Sequence, residues 1–393
     1  MKREIYWVYP HLLLDGGGTK FLYEVAKRLE KKYKITIVCN AGNKKIISNF
    51  IKNRIEVKTT SILSANSNFY LAAMPIFLLL DFIAIAKILL KADYIFATLY
   101  PSNFLTALFC IFFKKKYFYY CYEPYPYLHN KNFIQSHTYL KKVFITFFSN
   151  IYRWTDVIAV KKAQKIFTLN QITKEMIKKT YNVNSIITLM GVDSNHFKTY
   201  KSNKIMSIYK NKIIISHSTD YSTMKRTELA IYAIDKVAKV FPNIVLLITS
   251  TQPNSPSKKK YIELVKRLRL EKSVVFLGSV SYKELPLYYS ASLCYLSCSY
   301  DEMLGTTSSN LPVKEALACE VPAIRSSITS EDVEDGISGY LVDTRNPEEV
   351  SKKIIYLIRN PIRAREMGRA GRRRILKDYT WDKVAKIISA NIS

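Results

Sequence analysis

The sequence predicts an α/β protein built from two doubly wound parallel sheets, and three observations predict it. Short apolar runs alternate with helical stretches, as at Val274–Leu277, Leu293–Leu296, Val321–Ile324 and Gly339–Val342. Strands that alternate with helices pair in parallel, with helices covering the sheet. The length of 393 residues favours two domains over one. Hydrophobic residues make up 48% of the chain, enough for two packed cores. In such sheets the loops gather at one edge, where ligands bind.

The elements follow in order. Strand Ile5–Tyr9 leads through Gly16, Gly17 and Gly18 into an amphipathic helix with Phe21, Leu22, Val25, Ala26 and Leu29 on one face. Ile35–Cys39, Tyr94–Thr98, Tyr117–Tyr120, Ile158–Ala159, Ile166–Leu169 and Ile186–Leu189 read as the remaining strands of the first half. Segment 201–211 is polar and aperiodic and is placed as the linker. The second half reads as strand Ile213–Ser216, helix 227–240, strand Ile244–Thr249, helix 258–269 and the four runs above, then a basic helix over 361–376 and a short one over Trp381–Ile388. The expected division is a first domain over 1–200, a second over 201–375, and a last segment, 376–393, packing back on the first.

Two apolar segments bear on membranes. Tyr70–Leu90 is almost long enough to span a bilayer, but Pro75, Asp81 and Lys87 interrupt it. It reads as a helix buried in the sheet domain or lying at a membrane interface. Phe104–Phe113, followed by Lys114–Lys116, has the same character and is too short to span. The N-terminus enters a strand at once, so no leader and a cytoplasmic location are expected.

The formal charge is +29, spread as lysine pairs and triplets. Such a field favours anionic partners, among them a membrane surface and phosphorylated substrates. A general drift toward Lys, Ile, Asn and Tyr explains it equally well. Nucleic acid is not expected, because no stacking platform, helix-turn-helix or finger spacing is visible. The six cysteines lack CxxC spacing and lie mostly in apolar runs, as small core residues in a reducing compartment do. No HExxH motif, DxD string at a strand end, or nucleophile–histidine pair is visible, so no bound metal and no cofactor are expected.

Several motifs could carry chemistry. The glycine loop Gly16–Gly18 lets a backbone approach a ligand at a helix start, although a plain tight turn fits as well. It matches neither a dinucleotide fingerprint nor a Walker loop. Lys225–Arg226 stands between a strand end and a helix, where a lysine can meet a diphosphate as a point charge. Glu315 sits in NLPVKEALACEVPAI after a loop of small residues, Gly305 to Ser308, placed to take sugar hydroxyls at a helix start.

With MGVDSNHF at Met190–Phe197 and YCYEPYP at Tyr120–Pro126, these residues resemble the family 4 retaining glycosyltransferases of GT-B fold, the glycosyl transferases group 1. The resemblance extends over nearly the whole chain. It implies two Rossmann-like domains facing a central cleft, with the nucleotide sugar on the C-terminal domain and the acceptor on the N-terminal one.

By the same resemblance, Lys225 and Glu315 carry catalysis. The donor contacts are Gly17, Gly18, Arg226, Gly305, Thr306, Thr307, Ser308, Lys314 and Glu315. Tyr122, Glu123, Glu302 and Glu331 are candidate acceptor or sugar contacts. The implied donor is a UDP- or GDP-sugar, and the acceptor a glycan or a polyprenyl-phosphate-linked lipid.

Three departures are plain. Asp220 stands where the family has an arginine, leaving His217 or Arg226 as substitutes. Thr307 stands eight residues before Glu315 where the family has glutamate, unless Glu302 serves across a longer loop. Tyr122 replaces a histidine, and His129 is the nearest one in sequence. A catalytically silent glycan- or lipid-binding relative, and a nucleotide-sugar epimerase of the same fold, remain alternatives.

Overall fold

The computed structural model describes residues 2–13, 16–60, 74–135, 137–299, 310–327 and 331–392. The chain forms two compact units, Met1–Gly191 with Trp381–Ser393, and Val192–Thr380. The crossings thus fall at 191/192 and 380/381, where the sequence reading places them at 200/201 and 375/376. Segment 201–211 is no linker: it lies inside the second unit and carries a short helix, Asn203–Ile208, anchored by buried Ile205.

The first unit holds strands β1 (Glu4–Leu12), β2 (Lys34–Gly42), β3 (Glu56–Thr59), β4 (Tyr94–Thr98), β5 (Tyr117–Cys121), β6 (Lys165–Thr168) and β7 (Ile186–Ile187). They pair in parallel in the order β3-β2-β1-β4-β5-β6-β7. A central parallel strand is covered on both faces, so its sequence is apolar throughout rather than alternating. All five residues of YFYYC in β5 are buried for this reason.

Alternate residues point to opposite faces. On one face Trp7, Phe96, Phe118, Tyr120 and Phe167 stack ring on ring, and the Trp7 indole N–H donates to Thr98 Oγ1 at 2.8 Å. Phe21 of helix Gly17–Leu29 and Trp381 of helix Trp381–Ile392 extend this layer. On the other face Tyr6, Val8, Ile95, Ala97, Tyr117 and Tyr119 meet helices Met74–Leu89, Ser102–Phe112 and Tyr139–Lys162. The last of these contains Ile158–Ala159, which the sequence suggests as a strand. Ala159 faces the core and Ile158 faces outward, so the pair is one step of a long helix.

The second unit holds β8 (Ile213–Thr219), β9 (Ile244–Ser250), β10 (Val274–Gly278), β11 (Cys294–Ser297), β12 (Ala323–Ser326) and β13 (Gly339–Val342), parallel in the order β10-β9-β8-β11-β12-β13. Helices Thr227–Ala238 and Pro347–Arg359 cover one face through Ile231, Ile234, Val350 and Ile354. The crossing segments are tight. A Cβ on Gly191 would lie 2.5 Å from the Trp381 backbone nitrogen, so only glycine fits there. Beside it the Val192 N–H donates to the Tyr379 carbonyl at 2.8 Å. The six cysteines are all buried.

Candidate active site

In the second sheet the winding reverses between β8 and β11. Loops leaving the C-terminal ends of two such strands run apart and leave a crevice, the usual ligand position in this architecture. The loop after β11 runs into residues 300–309, so Glu302, Gly305, Thr306, Thr307 and Ser308 lie outside the described residues. The loop after β8 can be followed atom by atom.

Thr219 and Thr227 staple that loop at its base. Thr227 Oγ1 donates to Thr219 Oγ1 at 2.8 Å, and Thr219 Oγ1 accepts the Tyr221 N–H at 2.8 Å. Asp220 turns back on the loop and accepts the Ser222 N–H at 2.9 Å. Burial raises its carboxyl pKa, but the Ser222 hydrogen bonds and the Lys225 charge outweigh that and hold it below the usual range. Lys225 follows, half-buried in a one-turn 3₁₀ helix, Thr223–Lys225. Burial pushes its ammonium pKa down, Asp220 partly offsets this, and Arg325 adds repulsion.

Arg226 then sits at φ +47°, in the left-handed region, as the residue before helix Thr227–Ala238. Glycine adopts this conformation without strain, and arginine does not. The Arg226 guanidinium lies 3.8 Å from Glu228. The loop therefore brings two cations to the start of a helix whose first amides point the same way, an arrangement suited to an anion.

His217 does not join them. It is buried in β8, its Nδ1–H donates to the Leu296 carbonyl at 2.9 Å, and its Nε2 lies 3.1 Å from Thr227 Oγ1. Burial lowers its pKa to about 4, so it is neutral at physiological pH and supplies no charge for a phosphate.

Glu315 is buried, and its Oε2 accepts the Tyr289 hydroxyl at 3.2 Å. The sequence places it at a helix start, but helix Leu311–Ala318 begins four residues earlier, with Pro312 in its first turn. Proline fits there because its missing N–H costs nothing. Glu315 thus lies in the second turn, and its position owes little to the helix dipole. Asn310, just before the helix, donates from Nδ2 to Ser297 Oγ at 2.7 Å and ties the helix to the end of β11.

Lys314 points into the protein. Its Nζ lies 2.9 Å from Asp332, both are buried, and the Tyr379 ring is 5.3 Å from the ammonium. Arg325 of β12 pairs with the other Asp332 oxygen. Burial and the Arg325 charge push Lys314 down, with Asp332 opposing. Burial works against the Asp332 carboxylate too, but two flanking cations hold its pKa at about 2. Lys314, expected from the sequence to meet the donor, is thus paired with Asp332 inside the unit. Glu331 is half-buried beside this triad, its carbonyl accepting from Arg374 and from the Tyr379 hydroxyl, each at 2.7 Å.

Sequence reasoning missed Asp332, Arg325 and Tyr289. One signal was available: Arg325 lies in AIRS, a strand too apolar to carry an arginine without a buried partner.

In the first unit the winding reverses between β1 and β4. Helix Gly17–Leu29 begins there, and its N-cap residue, Gly16, has no side chain to cap it. Gly18 has a second reason to be glycine: a Cβ would meet the Tyr9 hydroxyl at 2.7 Å and the Tyr122 ring at 3.0 Å. The Tyr122 hydroxyl donates to the Gly18 carbonyl at 3.0 Å. Burial raises its pKa far above the ordinary phenol range, so Tyr122 braces the glycine loop as a neutral group. Glu123 follows it, half-buried, at the end of β5.

His129 is engaged elsewhere. Its Nε2 lies 2.7 Å from the buried Asp156, which also accepts from Tyr181 at 2.7 Å and from Asn103 at 2.5 Å. This network joins helix Tyr139–Lys162 to its neighbours.

Residues 200–374 match the family described as Glycosyl transferases group 1. Over 216 residues the chain is 24% identical to N-acetyl-alpha-D-glucosaminyl L-malate synthase of Bacillus anthracis, covering 54% of each protein. Over 264 residues it is 24% identical to poly(ribitol-phosphate) alpha-N-acetylglucosaminyltransferase of Staphylococcus aureus, covering 65% of this chain and 47% of that protein. The matches thus span about half the length of these curated relatives. Among solved structures, Anabaena HepE in complex with UDP and glucose superposes with a TM-score of 0.77 at 15% identity, covering 99% of each chain. Residues 200–374 thus belong to the glycosyl transferases group 1 family, in a chain whose two parallel sheets have the GT-B fold.

Proposed function

We propose that this chain is a retaining glycosyltransferase that moves a hexosyl group from a UDP- or GDP-sugar to a glycan or polyprenyl-phosphate-linked acceptor. The observation that carries the reading is the β8 loop. It holds half-buried Lys225 beside Arg226 at a helix start, on the switch point of a sheet whose sequence matches the glycosyl transferases group 1. A solved neighbour of the same fold holds UDP and glucose, which supports a nucleotide sugar as donor.

On this reading Lys225 and Arg226 meet the diphosphate. The bond from the anomeric carbon to the leaving phosphate oxygen breaks as the acceptor hydroxyl attacks from the same face. The acceptor's proton passes to the departing diphosphate, and the two cations stabilise the charge that develops there. A half-buried cation acts strongly because little water screens it. Glu315, braced by Tyr289, accepts hydrogen bonds from the ribose hydroxyls. Gly17, Gly18, Tyr122 and Glu123 border the acceptor. Catalysis is then positioning and electrostatics, and it needs no metal.

Release of nucleoside diphosphate from a panel of UDP- and GDP-sugars tests the reading, measured with lipid-linked and glycan acceptors and without them. One donor should turn over, and Lys225→Ala should abolish most of that turnover. A second reading, a silent relative that only binds glycan or lipid, is favoured by Asp220 at the position where the family has arginine. Donor release from no nucleotide sugar, with any acceptor, would establish that reading instead.

A further inference from the structure

Helix Tyr139–Lys162 shows apolar side chains to solvent as well as to the core. Its outer face carries an apolar stripe, with Leu140 81%, Phe147 62% and Trp154 59% exposed and Val143, Ile151 and Ile158 between them. Its inner face buries Ser149, Thr155 and Asp156, which find partners in the hydrogen bonds described above and in the Thr146 and Tyr152 carbonyls. Ile145, Ala159 and Val160 are buried beside them and already supply the core contact, so the outer stripe is apolar surface that the core does not use.

The stripe has neighbours. Helices Met74–Leu89, Ser102–Phe112 and Tyr139–Lys162 share one hydrophobic core on one face of the first sheet, and their outer sides add Leu79, Ile83 and Phe112 to the exposed surface. The charges there are sorted by sign. Across residues 74–91, 102–116 and 139–162 the acidic residues are Asp81 and Asp156, and both are buried. Lys87, Lys91, Lys114, Lys116, Lys161 and Lys162 are exposed.

We propose that this three-helix face docks on a bilayer containing anionic lipid, with the stripe of Tyr139–Lys162 entering the headgroup boundary and the lysines pairing with lipid phosphates. Apolar helices that end in exposed lysines, with no exposed acid on the three helices themselves, complement such a surface. A second copy of the chain would bring the same cations against themselves. A neutral apolar partner would leave the sorting of charges without use. The proposal stands apart from the donor site and uses none of its residues.

Tryptophan fluorescence tests it on the full chain. Of the three tryptophans, Trp7 and Trp381 are fully buried, so a change in emission on docking reports Trp154. Vesicles of phosphatidylcholine with phosphatidylglycerol should sediment the protein and shift its emission to the blue. Vesicles of phosphatidylcholine alone should do little, and high salt should release the protein.

Trp154→Phe should keep sedimentation and lose the shift. The double variant Leu140→Gln, Phe147→Gln, with circular dichroism unchanged, should bind at least about tenfold more weakly, since two large apolar side chains leave the interface. Sedimentation without a Trp154 shift would overturn the proposal by placing the contact elsewhere, and absence of sedimentation would overturn it outright. A blue shift that needs no lipid and grows with protein concentration, together with a doubled mass, would assign the face to a second copy.

Discussion

Lys225 and Arg226 are adjacent in sequence but differ in what they cost. Folding lowers the Lys225 pKa, so its charged form is the disfavoured one. That penalty exists below the folded pKa and is relieved as pH rises toward the unfolded value. A diphosphate reverses the sign by favouring the ammonium. Donor affinity should therefore fall on the alkaline side, beginning below the ordinary lysine range, and Lys225→Arg should flatten that limb. Lys225→Ala should weaken donor binding by about 1.5–3 kcal/mol, the range for a hydrogen bond to a charged group, and the same change at exposed Lys283 should do nothing. Equal affinities for the two variants would remove Lys225 from the site.

Arg226 carries left-handed backbone at φ +47°. Arg226→Gly should relieve up to about 1 kcal/mol of strain, net of glycine's own entropy, while removing a cation. Thermal unfolding should shift upward as turnover drops. A fall in both would make Arg226 structural only.

At the scale of elements, the Lys314–Asp332–Arg325 triad joins the helix after β11 to β12 and to the segment before β13. Asp332→Asn would leave two buried cations without their anion and should cost about 3–5 kcal/mol, read from denaturant unfolding. The Asp332 pKa is held at about 2, so its contribution is complete above the unfolded aspartate range and disappears as pH falls through about 2. Between the ordinary aspartate range and pH about 2 the wild type should lose stability progressively, a slope that Asp332→Asn should lack.

This triad also marks what the sequence could not disclose. Strands such as Tyr94–Thr98 and Gly339–Val342 were legible to the residue, because parallel strands covered on both faces are unbroken apolar runs. The β8 loop was legible as a cation pair at a helix start. The partner of Lys314 was not, because Asp332 is 18 residues away and only the fold brings it within 2.9 Å. Ile158–Ala159 misled for a related reason: a helix with apolar residues on both its buried and exposed sides imitates a buried strand.

At the scale of the molecule, the two sheets each have their own switch point, and the candidate residues that the structure describes divide between them: Gly17, Gly18, Tyr122 and Glu123 in the first unit, Lys225, Arg226, Glu315 and Glu331 in the second. No helix among the described residues is long and apolar enough to cross a membrane. Attachment through the proposed three-helix face, which relies on lysines, should be reversible by salt. Among the described residues no three His, Cys, Asp or Glu side chains gather to hold a metal. On the proposed mechanism, in which Lys225 and Arg226 meet the diphosphate, turnover should survive EDTA, and loss that Mg²⁺ or Mn²⁺ restores would show a metal in the reaction.

The central claim is that the second unit binds a nucleoside diphosphate at the C-terminal end of β8, under Lys225 and beside Glu315. Calorimetric titration of UDP and GDP into the wild-type chain, Lys225→Ala and Glu315→Ala tests it most directly. The account predicts that one of the two nucleotides binds the wild type and that each substitution weakens it by about 1.5–3 kcal/mol with the melting transition kept. Binding of neither nucleotide to the wild type, or equal affinity in all three proteins, would contradict it.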